Sequence, residues 1–109
     1  MDNCVFCKIV RGEIPCKKVY EDELVLAFDD ISPQAPVHVL LVPKHHAADI
    51  LKTDVADTGA CIAALPKVVA AKGLTSFRLI VNTGADAGQT VPHLHFHILG
   101  GKDMGERII

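Results

Sequence analysis

Three histidines occupy alternate positions in the run His93-Leu94-His95-Phe96-His97-Ile98-Leu99. Side chains alternate across an extended strand, so the three imidazoles share one face while Leu94, Phe96 and Ile98 share the other and enter a core. Three imidazoles in a row are costly to bury without partners. On a merely solvated strand face Ser, Thr, Lys or Glu would serve equally well. Imidazole is suited to metal ligation, proton transfer or nucleophilic attack near neutral pH. The preceding residues narrow that choice. Asn82 is followed by the loop Gly84-Ala85-Asp86-Ala87-Gly88-Gln89-Thr90. Glycines let backbone approach a ligand closely, and turn N–H groups with Thr and Asn side chains form anion cradles. Taken alone, the loop is equally an ordinary hairpin connection. An anion cradle beside a row of imidazoles points to phosphoryl or nucleotidyl transfer.

A second cluster starts at Cys4-Val5-Phe6-Cys7. A Cys-x-x-Cys is half of a tetrahedral zinc site, and histidines to complete it are available at His46 and His93. Two buried free thiols or a redox pair are the alternatives. Cys16 and Cys61 have no evident partners and read as buried apolar thiols. His45, adjacent to His46, is an alternative ligand. Lys44 and Lys102 read as solvated.

The elements that must position these residues are few. The chain has 109 residues, the size of one domain spanning 1–109. Half of it is apolar and 22% charged, which excludes a disordered chain. With 11 basic and 13 acidic residues and no Trp, it has no electrostatic preference for nucleic acid or an anionic membrane, and its core is aliphatic. No apolar run is long enough to cross a bilayer. The N-terminal residues lack a signal-peptide pattern, so a cytoplasmic location is expected.

Residues 4–11 suggest a short helix with Val5, Phe6 and Ile9 on one face. Strands are expected at 17–21, 24–29, 37–42, 76–82 and 93–99. A longer helix is expected from an N-cap at Thr53 to about Lys72, with Val55, Ile62, Leu65 and Val69 on its buried stripe and Pro66 kinking or splitting it. Five strands with mostly short connections and one long helix predict an α+β fold with a mainly antiparallel sheet.

The run His-x-His-x-His followed by apolar residues resembles the histidine-triad (HIT) superfamily. Three further stretches look like its nucleotide-binding branch: Phe28-Asp29-Asp30-Ile31-Ser32-Pro33-Gln34-Ala35-Pro36-Val37-His38, Val42-Pro43-Lys44, and Gly88-Gln89-Thr90 through Gly100-Gly101. The resemblance covers nearly the whole chain. It implies an enzyme that hydrolyses purine nucleoside 5′-phosphoramidates through a covalent nucleotidyl-histidine, acting as a homodimer.

By resemblance, His95 is the nucleophile, His97 assists at the phosphate or the leaving amine, and His38 orients the triad. Asn82, Gly88, Gln89 and Thr90 would hold the phosphate, and Asp30 the ribose hydroxyls. Phe6, Phe28 and Ile31, with Ile9 and Leu40, would line the base slot. Some members bind structural zinc at positions corresponding to Cys4, Cys7, His46 and His93. Other readings are dinucleoside polyphosphate hydrolysis, as in a sister branch, and a nucleotide-binding interaction module with little turnover. Many relatives end in a Trp-containing tail that crosses the dimer; this chain ends Gly105-Glu106-Arg107-Ile108-Ile109 instead.

Overall fold

In a computed structural model describing residues 3–109, the elements run α1 (Val5–Val10), β1 (Lys18–Glu21), β2 (Val25–Asp29), β3 (Val37–Pro43), α2 (Val55–Ala71), β4 (Phe77–Ile80) and β5 (Phe96–Gly100). A single 3₁₀ turn, Ala85–Ala87, lies between β4 and β5. The sheet order is β1-β2-β3-β5-β4, and every neighbouring pair is antiparallel. This is the α+β architecture expected, with five strands and two helices.

The sheet is covered on both faces, which explains why β3 reads as a continuous apolar run. Period-two alternation sorts the strand residues between the faces. Val25, Ala27, Val39, Leu41, Leu94, Phe96 and Ile98 pack with Cys61, Ala64 and Val68 of α2. Leu26, Phe28, Leu40 and Val42 pack with Phe6, Cys7 and Ile9 of α1. The histidine face is thus the α1 face. In the β3–β5 register Leu40 lies opposite His97 and His38 opposite Leu99. His38 is therefore a diagonal neighbour of His97 on the same face, within reach of a long side chain.

Several local expectations change. The long helix begins at Val55 with Asp54 as N-cap, because the Thr53 hydroxyl donates to the Asp49 carbonyl instead. Its buried stripe is Cys61, Ala64 and Val68. Val55 is 88% exposed and Ile62 46%. Pro66 neither splits nor ends the helix. The hydrogen bond it removes is the one to the carbonyl of Ile62, on the exposed side of the helix, where water can take its place. On α1 the inward residues are Phe6, Cys7 and Ile9, while Val5 is exposed. Lys44 is not simply solvated: its Nζ lies 2.8 Å from a Glu21 carboxylate oxygen, tying the end of β3 to β1.

Ladder pairing in β5 begins only at Phe96, so His93 and His95 precede the strand. Their alternation nevertheless persists, since Leu94 joins Phe96 and Ile98 in the α2-side core. One hydrogen bond fixes the approach, from the Leu94 N–H to the Ala47 carbonyl at 2.8 Å.

After β5 the chain turns at Gly101, whose φ of +89° suits glycine. The Arg78 guanidinium then holds the tail by donating to the carbonyls of Met104, Gly105 and Arg107.

Candidate functional site

The protonation pattern of the histidines follows from their fixed partners. A main-chain carbonyl can only accept, and a main-chain N–H can only donate. His95 Nδ1 lies 2.7 Å from the His93 carbonyl, so Nδ1 carries the proton. Its Nε2 is then left with a lone pair, has no protein partner among the described residues, and belongs to a ring lining a cavity. The Gln34 N–H donates to His38 Nδ1 at 3.0 Å, so His38 carries its proton on Nε2. That proton is donated to His97 Nδ1 at 2.8 Å. His97 is thereby left with an Nε2–H donor on its far edge. Asp30 Oδ2 stands 3.4 Å from His38 Nε2 and supports the same tautomer. One imidazole thus presents a base or nucleophile, and its neighbour presents a donor.

Burial, with the nearby imidazoles of His95 and His38 adding to it against Asp30, pushes the His97 pKa down to about 4. His97 is therefore neutral at pH 7. His93 is also shifted down, mainly by burial. A depressed histidine pKa means that the unfolded chain takes up the proton first. The stability from keeping these rings neutral is complete above about 6.5 and is lost as pH falls toward 4. Urea midpoints measured with chelator present are expected to drop between pH 6.5 and 4.5. A flat profile across that window would contradict the buried neutral rings.

The cavity has a volume of about 330 Å³, at the lower end for small-ligand sites. Phe6 and Phe28 meet edge to face within its wall, with centroids 5.7 Å apart. Ile9, Leu40, Asp30, Ile31, Thr90, His95 and His97 also line it. Ile31 is 98% exposed and forms rim rather than wall. Ile14, Pro15 and Cys16 add to the lining, as do Val5, Asp29 and Val91. Sequence reasoning missed Ile14, Pro15 and Cys16 because they follow α1 without any periodic pattern, and it also left Val5, Asp29 and Val91 out of the site. Cys16 is half-buried at this cavity, whereas Cys61 is sealed in the α2-side core.

Asn82, Gly88 and Gln89 lie outside the cavity wall itself. Gly88 takes the left-handed conformation at φ +93°, and a Cβ there would approach the Asn82 amide nitrogen. The loop spends several of its donors internally. The Gly88 N–H bonds Ala85, the Gln89 N–H bonds Gly84, and the Gln89 side-chain amide bonds Gly84, Ala48 and Val91. Gln89 thus braces the loop, whereas the side chains of Asn82 and Thr90 make no hydrogen bond to protein among the described residues.

Below the triad, Cys4 Sγ, Cys7 Sγ, His46 Nδ1 and His93 Nδ1 all lie within 4.8 Å of one another. His93 Nδ1 is 3.3 Å from Cys4 Sγ, 3.5 Å from Cys7 Sγ and 3.2 Å from His46 Nδ1, and Cys7 Sγ is 3.2 Å from His46 Nδ1. Zinc bonds of about 2.3 Å to sulfur and 2.0–2.1 Å to nitrogen give tetrahedral edges of roughly 3.3–3.8 Å. The donor set fits, and the cluster can hold a metal ion such as zinc. The His93 Nε2–H donates to the Pro43 carbonyl at 2.8 Å, which directs the Nδ1 lone pair into the cluster, as outer-shell bonds do for metal-ligating histidines. His45 is not part of it: its side chain is 82% exposed and faces Asp57. Burial and the neighbouring Cys4 push the Cys7 thiol up to about 11; a bound cation would offset that cost by favouring the thiolate.

Comparison with known proteins gives the context. The HIT domain profile matches residues 11–104. An HIT-like protein of Synechocystis sp. is 49% identical over 105 residues, covering 93% of this chain and 92% of that one. Protein HitA of Neisseria gonorrhoeae is 44% identical over 104 residues, covering 92% and 97%. Among solved structures, a HIT family hydrolase from Clostridium thermocellum superposes with a TM-score of 0.95 at 46% identity, covering 100% of this chain and 99% of that one. A histidine triad protein from Clostridium difficile gives 0.90 at 46% identity, covering 98% and 96%. By profile, sequence and structure alike, this chain belongs to the HIT domain family.

Proposed function

We propose that this protein is a nucleotide hydrolase of the histidine-triad nucleotide-binding branch, cleaving the P–N bond of purine nucleoside 5′-phosphoramidates. The observation that carries the reading is the His95 ring. Its Nδ1 proton is tied to a carbonyl, its Nε2 has no protein partner among the described residues, and the ring lines an apolar cavity together with a carboxylate, Asp30, and a donor imidazole, His97. The hydrolase name of the Clostridium thermocellum relative supports it.

In this reading the base lies against Phe6 and Phe28, with Ile31 at the rim, and the ribose hydroxyls bond Asp30. His95 Nε2 attacks the α-phosphorus. The P–N bond breaks, its electron pair leaves with the amine nitrogen, and that nitrogen takes a proton from solvent. His97 Nε2–H, held in place by His38, and the side chains of Asn82 and Thr90 bond the phosphoryl oxygens, where charge accumulates. Gly88 and Gln89 shape the loop that presents them. Water then attacks phosphorus, the P–Nε2 bond breaks, a proton passes to solvent, and neutral His95 returns. Imidazole serves as both nucleophile and leaving group in such a cycle.

Cys4, Cys7, His46 and His93 would hold a structural zinc ion, which would cross-link the start of α1 to the segment after β3 and the segment before β5. A homodimer is supported by the apolar surface left uncovered: Leu51, Val55 and Ile62 at α2, and Phe77 and Leu79 on the edge strand β4. No described helix is long and apolar enough to cross a membrane.

Mass spectrometry of protein quenched during turnover of an adenosine phosphoramidate should find a nucleotidyl adduct on His95. Faster release of product from a diadenosine polyphosphate than from the phosphoramidate would overturn the substrate assignment. Asp30→Ala is expected to weaken binding of ribonucleotides about tenfold or more, since bonds to a charged acceptor contribute about 1.5–3 kcal/mol. It should leave 2′,3′-dideoxynucleotide binding nearly unchanged. Equal affinity of the unmodified protein for both ligands would contradict the ribose role.

A further inference from the structure

The four-ligand cluster and the His95 ring share structural supports. His93 supplies its ring Nδ1 to the cluster, while its main-chain carbonyl accepts the His95 Nδ1–H at 2.7 Å. The same peptide plane carries the Leu94 N–H, which donates to the Ala47 carbonyl at 2.8 Å. Ala47 directly follows the ligand His46. One planar peptide is thus gripped at its N–H by the segment bearing one ligand, at its Cα by another ligand, and at its oxygen by His95. A second link runs through α1. Phe6 lies between Cys4 and Cys7, and its ring stands edge-on to both His93 and His95, with centroids 5.9 and 5.0 Å away.

We propose that the Cys4, Cys7, His46 and His93 cluster is a positioning device for His95. Its ligands fix the His93–Leu94 peptide plane and the Phe6 ring, and these hold His95 in the tautomer and rotamer that present Nε2 to the cavity. His46 and Phe6 are then positioning residues for the reaction, although His46 does not line the cavity. The inference rests on His95 being the nucleophile, but the coupling itself is a property of the ring and can be read without turnover.

The test compares metal-loaded protein, chelator-stripped protein, His46→Ala and His46→Cys. It measures metal content, far-UV circular dichroism, kcat and KM separately, and the His95 tautomer by ¹⁵N NMR of the imidazoles. Loss of the metal from folded protein is expected to lower kcat about 10- to 100-fold, the range for disturbed metal-site support, with KM for the nucleotide nearly unchanged. The His95 signals should move from a single Nδ1–H form to a mixture. His46→Cys, which keeps a fourth ligand, should retain metal, kcat and the single tautomer. Metal-free protein with native dichroism, unaltered kcat and an unaltered His95 ring would overturn the proposal.

If the metal-free chain does not fold, Cd²⁺ loading provides the second measurement, because the larger ion lengthens the ligand bonds. It should shift the His95 ring signals more than backbone signals of β1. Unmoved His95 signals would again overturn the coupling. Absence of phosphoramidate turnover in the loaded, unmodified protein would defeat the functional reading while the NMR result still decides this one.

Discussion

His95→Ala is expected to lower phosphoramidate turnover by at least about 10³-fold, because it removes the atom that bonds to phosphorus rather than one that assists it. The fold should survive. His95 sits before the first ladder pair of β5, and its ring bonds only the neighbouring His93 carbonyl. Nucleotide binding should fall much less than turnover, since the cavity walls are supplied by Phe6, Phe28 and Leu40. Single-turnover rates and equilibrium binding, measured on the same variant, separate the two. Residual hydrolysis within about tenfold of the unmodified protein would exclude covalent catalysis at this residue. Unchanged hydrolysis would favour a binding module whose weak turnover arises elsewhere. His97→Ala is a useful companion, because it deletes a donor and should leave the adduct-forming atom intact.

Removing the metal is expected to produce the largest change in stability. A metal at about 100 times its dissociation constant contributes about 2.7 kcal/mol to folding. For a chain of this length that corresponds to a fall of roughly 10–20 °C in Tm on chelation. Purified protein should contain about one equivalent of metal per chain, and Cys4→Ala should reproduce the fall without chelator. Cys4 is also the N-cap of α1, its sulfur accepting the Cys7 N–H. Cys4→Ser, which keeps a capping oxygen, distinguishes the cap from the ligand. Protein free of metal as purified, with a Tm indifferent to chelators, would refute the site.

Where the sequence speaks clearly, one physical signal dominates. The alternation in residues 93–99 leaves a single solution, since reversing it would place three imidazoles in an aliphatic core. The structure indeed puts Leu94, Phe96 and Ile98 on the α2 side. Two other segments are less legible. The segment of α2 is rich in alanine and valine all round, so several stripes satisfy the same period. Packing chose the small residues Cys61 and Ala64, which let the helix lie close to the sheet, and left Val55 and Ile62 outside. No pattern could show that Pro66 and Ile62, whose carbonyl loses its partner, both sit on the exposed side of the helix. The choice between His45 and His46 is likewise invisible in a dipeptide; strand β3 ends at Pro43 and the turn after it points one ring inward and the other outward. The loop at residues 84–90 showed its glycines, but not that Gln89 would be consumed as an internal brace, because that depends on the carbonyls of Ala48 and Val91.

Tying the His95 Nδ1–H to a main-chain oxygen also restricts regiochemistry. A histidine ring in solution reacts at either nitrogen and gives two isomers; this one has a single basic edge. Acylating or phosphorylating reagents that reach it should yield only the 3-substituted (tele) product, and the isomer ratio recovered after digestion becomes a chemical record of that one hydrogen bond.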